Sequence, residues 1–164
     1  MIIDGFSDAS LGTASRGRST TGHFARLSHK SGAVFAKAKA TDTVMTNIFE
    51  AELDGATRAV KTMARIRNIL TELQQHLADI PTLYCDNLAM VEFVKGNSVA
   101  KSVRHMELRQ WYVREQVLLG NVQMIQHPGS TLPADKLTKL SDAPSFKPFV
   151  RDIMGHALLD DHLT

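Results

Sequence analysis

The sequence predicts an α/β fold: a mixed five-stranded sheet, three antiparallel strands followed by parallel ones, with helices on both faces. Three observations carry this expectation. Short β-rich runs fill the first quarter of the chain. A helical period of three and four residues takes over near Asn47. Compact apolar runs then alternate with helical segments, the pattern that adds parallel strands to a sheet through crossover helices.

Taken in order, Ile2 to Ser7 reads as a short strand and "DASLGTASRGRSTTG" as a loop rich in Gly, Ser and Thr. "HFARLSH" and "AVFAKAKA", separated by "KSG", form a hairpin signal. From Asn47 to Leu77, Leu53, Ala56, Val60, Met63, Ile66, Leu70, Leu73 and Leu77 step by three or four, with Arg58, Lys61, Arg65 and Glu72 between them, which predicts a long amphipathic helix. Pro81 restarts the chain, and "TLYC" suits a buried strand ended by Asp86. "NLAMVEFVKG" reads as a helix capped at Gly96, followed by the loop "GNSVAKS". "RHMELRQWYVREQVLLG" reads as another amphipathic helix ending at Gly120, with Trp111 expected in the core, and "NVQMIQH" as a strand. "ADKLTKL" starts a helix, and "FKPFVRDIMGHALL" supplies a last one ending near Gly155.

With 164 residues, 43% of them hydrophobic, the chain can bury one sizeable core, so a single domain over 1–155 with a tail at 156–164 is expected. No apolar stretch approaches the length of a membrane span. "MIIDGFSD" has neither a basic region nor a long apolar one, so the expectation is an unsecreted, cytoplasmic or nuclear protein without a membrane partner. The lone Cys85 cannot form an internal disulfide and reads as a buried strand residue. The net charge of +2 is modest but unevenly placed: Ala9 to Thr41 holds six basic residues (Arg16, Arg18, Arg26, Lys30, Lys37 and Lys39) and no acid. Such a stretch suits either a polyanion or a solvated hairpin surface.

Four acids sit at element boundaries: Asp8 after the first strand, Glu52 in the first turns of the long helix, Asp86 after "TLYC", and Asp135 at a helix start. In open α/β sheets, sites form beyond the carboxyl ends of strands, where such acids converge. Clustered carboxylates stay ionised only with a cation among them, and magnesium, which takes oxygen ligands and substrate phosphates, fits. Two ions roughly 4 Å apart suit phosphodiester hydrolysis. Each acid also has an ordinary reading: Asp8 and Asp86 as turn or cap residues, Glu52 and Asp135 as partners of a helix dipole.

The chain resembles ribonuclease H, most closely the RNase H domain of copia-type retrotransposon reverse transcriptases, over about Gly5 to Arg151. The resemblance rests on "GFSDAS", "RSTTGHF", "EAEL", "LYCDN", "RHMELRQWYVRE" and "PADKLTK", in that order and with similar spacing. It implies an RNase H-like fold and hydrolysis of the RNA strand of an RNA–DNA hybrid. The family's catalytic and metal-binding quartet falls on Asp8, Glu52, Asp86 and Asp135, holding two magnesium ions, with manganese as substitute. Glu50 competes with Glu52, which is preferred because Leu53 leads into the helix core, and Asp4 competes with Asp8.

Hybrids are recognised by groove shape and the 2′-hydroxyl, so backbone contacts are expected to dominate. Nucleic-acid contacts are expected at Thr46 and Asn47 before the long helix, at Asn87, at Arg16 and Arg18, and at Lys101, Arg104 and His105. Helix capping is the competing role for Thr46, Asn47 and Asn87. His127 is a candidate aid to product release, but when Pro128 is aligned with the family's proline the usual histidine position falls on Gln126. The implied partners are the hybrid and a reverse transcriptase polymerase domain. The alternatives are a catalytically silent module retained for binding or assembly, and a nuclease of the same fold acting on DNA.

Overall fold

The computed structural model describes residues 1–96, 108–139 and 143–155. At its centre lies β1 (Asp4–Ser10), buried along its whole length. Antiparallel to it runs β2 (Thr20–Arg26), and β3 (Ala33–Ala40) pairs antiparallel with β2 at the sheet edge. On the other side β4 (Thr82–Cys85) and β5 (Gln123–Gln126) add parallel strands, giving the order β3-β2-β1-β4-β5. This is the mixed five-stranded sheet expected from the sequence.

The helices are α1 (Ile48–Glu72), α2 (Leu88–Val94), α3 (Leu108–Leu118) and α4 (Ala143–Met154). Strand alternation assigns them to faces. One face carries the larger core, in which Leu53, Val60 and Met63 of α1 meet Leu83, Met90, Phe93, Val113 and Met124. The opposite face carries Phe6 and Phe24, stacked 4.6 Å apart, under Leu132 and Ala134 with Leu137 and Ile153 alongside. Helices on both faces are therefore observed. Among the described residues, no helix is long and apolar enough to cross a membrane.

Several boundaries depart from the sequence reading. β1 extends through Ser10, so Asp8 lies inside the strand, and it begins at Asp4, which is buried. Asp4 is accommodated because Arg26 on the paired strand (3.3 Å) and His29 (2.7 Å) hold its carboxylate. β2 begins at Thr20, ahead of "HFARLSH". α1 ends at Glu72 instead of Leu77, and Gln74 takes a left-handed conformation at φ 56°. "ADKLTKL" makes only a short 3₁₀ turn over Pro133–Leu137. Trp111, expected in the core, is 42% exposed, leaning on Phe93 with Arg114 beside it. Its indole is amphipathic enough to stay at the rim. The glycine stops are as expected: Gly96, Gly120 and Gly155 all have positive φ after their helices.

Where α1 crosses β1, a Cβ at Gly5 would run into the side chains of Met63 and Leu83, and Leu83 is fully buried. Leu83→Ala removes side-chain volume from this crossing, and urea unfolding is expected to show a loss of about 2–5 kcal/mol.

Candidate active site

The parallel register places the acids of two strands side by side. Phe6 of β1 pairs with Tyr84 of β4, so Asp8 and Asp86, each two residues further on, emerge together at the carboxyl end of the sheet. The fifth residue of α1, Glu52, reaches the same place and accepts a hydrogen bond from the backbone N–H of Ala9. Carboxylate oxygens of Asp8, Glu52 and Asp86 all lie within 4.8 Å of one another. Asp8 and Glu52 are buried and Asp86 is half-buried.

That geometry governs their protonation. Two unit charges at this range repel by about 3 kcal/mol at an effective dielectric of roughly 20. Burial, then the neighbouring charges of Asp8 and Asp86, push the Glu52 carboxyl up to about 9. Its Oε2 is buried with no hydrogen-bond partner. Burial also raises Asp8, opposed by a hydrogen bond from the Thr138 hydroxyl and by the charge of Lys139. A buried polar oxygen without a partner inside an acidic trio is the environment a hard cation satisfies, so the donor set fits a divalent metal.

Asp135 stands outside this trio but close enough for its charge to raise the Asp8 pKa. It lies in the Pro133–Leu137 turn, where Lys136 (3.2 Å) and Lys139 pair with it. Burial works against its ionisation, but hydrogen bonds from Lys139 and Lys136 outweigh it and keep the carboxyl below its ordinary value. Thus three of the four predicted acids converge, and the fourth borders them with lysines attached.

The competing acids occupy other roles. Glu50 accepts hydrogen bonds from the Thr46 N–H and hydroxyl, while the Asn47 side chain accepts from the Glu50 N–H. This is a helix cap. Asn87 likewise caps α2 by accepting from the Met90 N–H. Arg16 and Arg18 lie in the turn between β1 and β2, Arg16 at φ 61°. Lys101, Arg104 and His105 lie outside the described residues. The His127 ring packs edge-on against Phe6 and Tyr84, with Nδ1 3.0 Å from the Pro128 carbonyl oxygen, and it is not in the acidic cluster. Cys85 is fully buried, and burial pushes its thiol up to about 12.

Sequence reasoning missed the residues that seat this site. Gly22 pairs with Asp8, and a Cβ there would come within 2.5 Å of the Leu137 side chain. Its bareness lets the turn carrying Asp135 and Thr138 sit on the sheet. A Cβ at Gly129 would lie 2.8 Å from the Asp86 carboxylate. The only signals were a glycine closing the Gly-, Ser- and Thr-rich run and one after a proline, which read as turn residues and name no partner.

The sheet order, with carboxylates at the ends of its central strands, defines a protein of the RNase H fold. An RNase H1 from Halobacterium salinarum NRC-1 matches with a TM-score of 0.60 at 17% identity, over 84% of this chain and 94% of that one. The foamy viral protease-reverse transcriptase, solved with an RNA/DNA hybrid, matches with a TM-score of 0.54 at 9% identity, over 94% of this chain and 19% of that one. In sequence, the chain is 27% identical over 155 residues to the retrovirus-related Pol polyprotein from transposon TNT 1-94 of Nicotiana tabacum. That match covers 94% of this chain and 11% of the polyprotein, so the chain spans about a tenth of its relative's length. No protein-family model matches. The chain therefore resembles a retrotransposon RNase H domain in both sequence and fold.

Glu52 makes stability without metal depend on pH. Its folded pKa, about 9, lies above the ordinary 4.5, so the native state retains a proton that the unfolded chain releases. The stabilisation is full below about pH 4.5 and is lost progressively as pH rises towards 9. In EDTA the melting temperature is expected to fall over that interval, and Glu52→Gln is expected to flatten the fall. Equal slopes for the two proteins in a calorimetric pH series would contradict the burial of a protonated Glu52.

Proposed function

We propose that the chain is a metal-dependent endoribonuclease that hydrolyses the RNA strand of RNA–DNA hybrids, working as a segment of a retrotransposon polyprotein beside a reverse transcriptase. The observation that carries this reading is the trio of Asp8, Glu52 and Asp86 at the carboxyl end of the sheet, with an unpartnered buried oxygen on Glu52. The resemblance to transposon Pol polyproteins and the hybrid-bound reverse transcriptase of like fold support the choice of substrate and partner.

In this reading Asp8, Glu52 and Asp86 hold divalent ions, magnesium with manganese as substitute, and Asp135 completes the ligand set from its turn. When bound, two such ions supply an activated water and neutralise charge on the leaving oxygen. The protein's own residues orient the ligands. The Thr138 hydroxyl fixes one oxygen of Asp8, the Ala9 N–H fixes Glu52, and the tight passage of Gly129 limits where Asp86 can turn. Lys139 pairs with Asp135 and lowers the charge of the cluster until ligands arrive. Asn47 and Asn87 cap α1 and α2, the helices that begin next to Glu52 and Asp86 in sequence, and in this reading their amide N–H groups are the ones offered to a hybrid.

The test is cleavage of a labelled RNA–DNA hybrid, with RNA–RNA and DNA–DNA duplexes alongside, in magnesium, manganese and EDTA. Cutting of the hybrid's RNA strand alone, abolished by EDTA, is expected. Asp86→Asn forfeits several kcal/mol of charge stabilisation and is expected to slow cutting roughly a thousandfold. A folded protein that binds the hybrid yet never cuts it, even in manganese, would leave a binding module in place of the enzyme.

A further inference from the structure

α1 has a second chemical face, turned away from the trio. Arg58, Lys61 and Arg65 step along it at helical spacing, beginning roughly 9 Å along the axis from Glu52. Opposite them stand Lys37 and Lys39 of the edge strand β3, two residues apart and therefore on one side of the sheet. Register fixes which side. Lys37 pairs with His23, which pairs with Ser7, and Lys39 pairs with Thr21, which pairs with Ala9, so all share the sheet face on which α1 packs.

Between the two cationic walls lies a cleft of about 210 Å³. Its floor is the buried ring of His23, stacked on Phe35 and joined through Nε2 to the Thr62 hydroxyl at 3.2 Å, with Nδ1 unpartnered. Burial and the cations Arg58 and Lys37 hold the His23 pKa down to about 4, so the ring adds no charge at neutral pH. Carboxylates dilute the groove at one end only: Asp42 pairs with Lys39 and Arg58, and Asp54 with Arg58. Lys61 is held over the Tyr112 ring. Lys37 and Arg65 are exposed and have no ion-pair partner among the described residues. Two facing rows of cations are ill suited to a single counter-ion and well suited to a chain of regularly spaced anions.

We propose that this groove between β3 and α1 binds the sugar-phosphate backbone of a nucleic acid, at a site separate from the carboxylate trio. Lys37, Lys61 and Arg65 take phosphate oxygens, and hydroxyls such as Thr62 line the floor between them. Contacts of this kind hold a strand without reading its bases. The site accounts for Lys37 and Lys39 within the acid-free stretch from Ala9 to Thr41, which the metal chemistry does not use.

The test needs no cleavage, so it stands whether or not the nuclease reading holds. Binding of a fluorescein-labelled RNA–DNA hybrid is followed by anisotropy in EDTA over a series of salt concentrations, for the wild type, for Lys37→Gln/Arg65→Gln, and for Lys30→Gln/Lys147→Gln as a change of equal charge elsewhere. All four positions are exposed, and melting temperatures confirm that each variant is folded. The groove variant is expected to bind several-fold more weakly and to lower the slope of log K against log salt by about 2, roughly one unit per lost phosphate contact. The control pair is expected to move neither quantity comparably. Equal effects from both pairs would reduce the groove to bulk charge and overturn the proposal, as would an unchanged slope. Displacement of the hybrid from the wild type by polyglutamate as readily as by unlabelled hybrid would overturn it in favour of an acidic protein partner.

Discussion

Three carboxylates gathered at the end of a parallel strand pair set the terms for everything around them. Two are buried and the third is half-buried. Folding alone gives them no reason to be together, because desolvation and mutual repulsion both oppose it. Without a cation the molecule relieves the conflict by keeping Glu52 protonated, by a hydroxyl on Asp8 and by lysines at the neighbouring Asp135. Each device is reversible. A proton can leave and a lysine can swing aside, whereas an apolar filling could not make way for an ion.

Holding such a site needs backbones brought closer than ordinary side chains allow. At Gly22 the sheet admits the Pro133–Leu137 turn, where a Cβ would meet the Leu137 side chain at 2.5 Å. Gly129 performs the same service beside Asp86. The rest of the core is arranged to keep these approaches rigid. Leu53 follows Glu52 directly into the apolar cluster, so the helix that presents the glutamate cannot rotate without unpacking.

The legibility of the sequence follows the same physics. α1 was readable because an apolar period over 25 residues is a strong signal, whereas the part Glu50 plays in capping that helix shows only in its hydrogen bonds with Thr46 and Asn47. The strand ends were less readable, since Asp4 and Asp8 both look like breaks. Arg26 and His29, brought to it by strand pairing and the turn that follows, explain why Asp4 can be buried. At Asp135 the composition of "ADKLTKL" favours a helix, and packing of Leu132, Ala134 and Leu137 against Phe6 and Phe24 overrides that preference. The glycine contacts were illegible in principle, for their partners lie far away in sequence.

One helix thus serves two environments that would be incompatible on the same face. Glu52 points into an acidic, desolvated corner, while Arg58, Lys61 and Arg65 line a wet cationic groove on the far flank. The separation matters electrostatically. A lysine row next to the trio would occupy the carboxylates itself and compete with any metal, as Lys139 does on a small scale at Asp135. Placed roughly 9 Å or more along α1 and around its axis, about one Debye length away at physiological salt, the row is partly screened from the acids. It remains close enough to act on the same polyanion, since a duplex carries a phosphate every few ångströms along its axis. The acidic corner and the cationic groove are thus kept apart by the one helix that lines both.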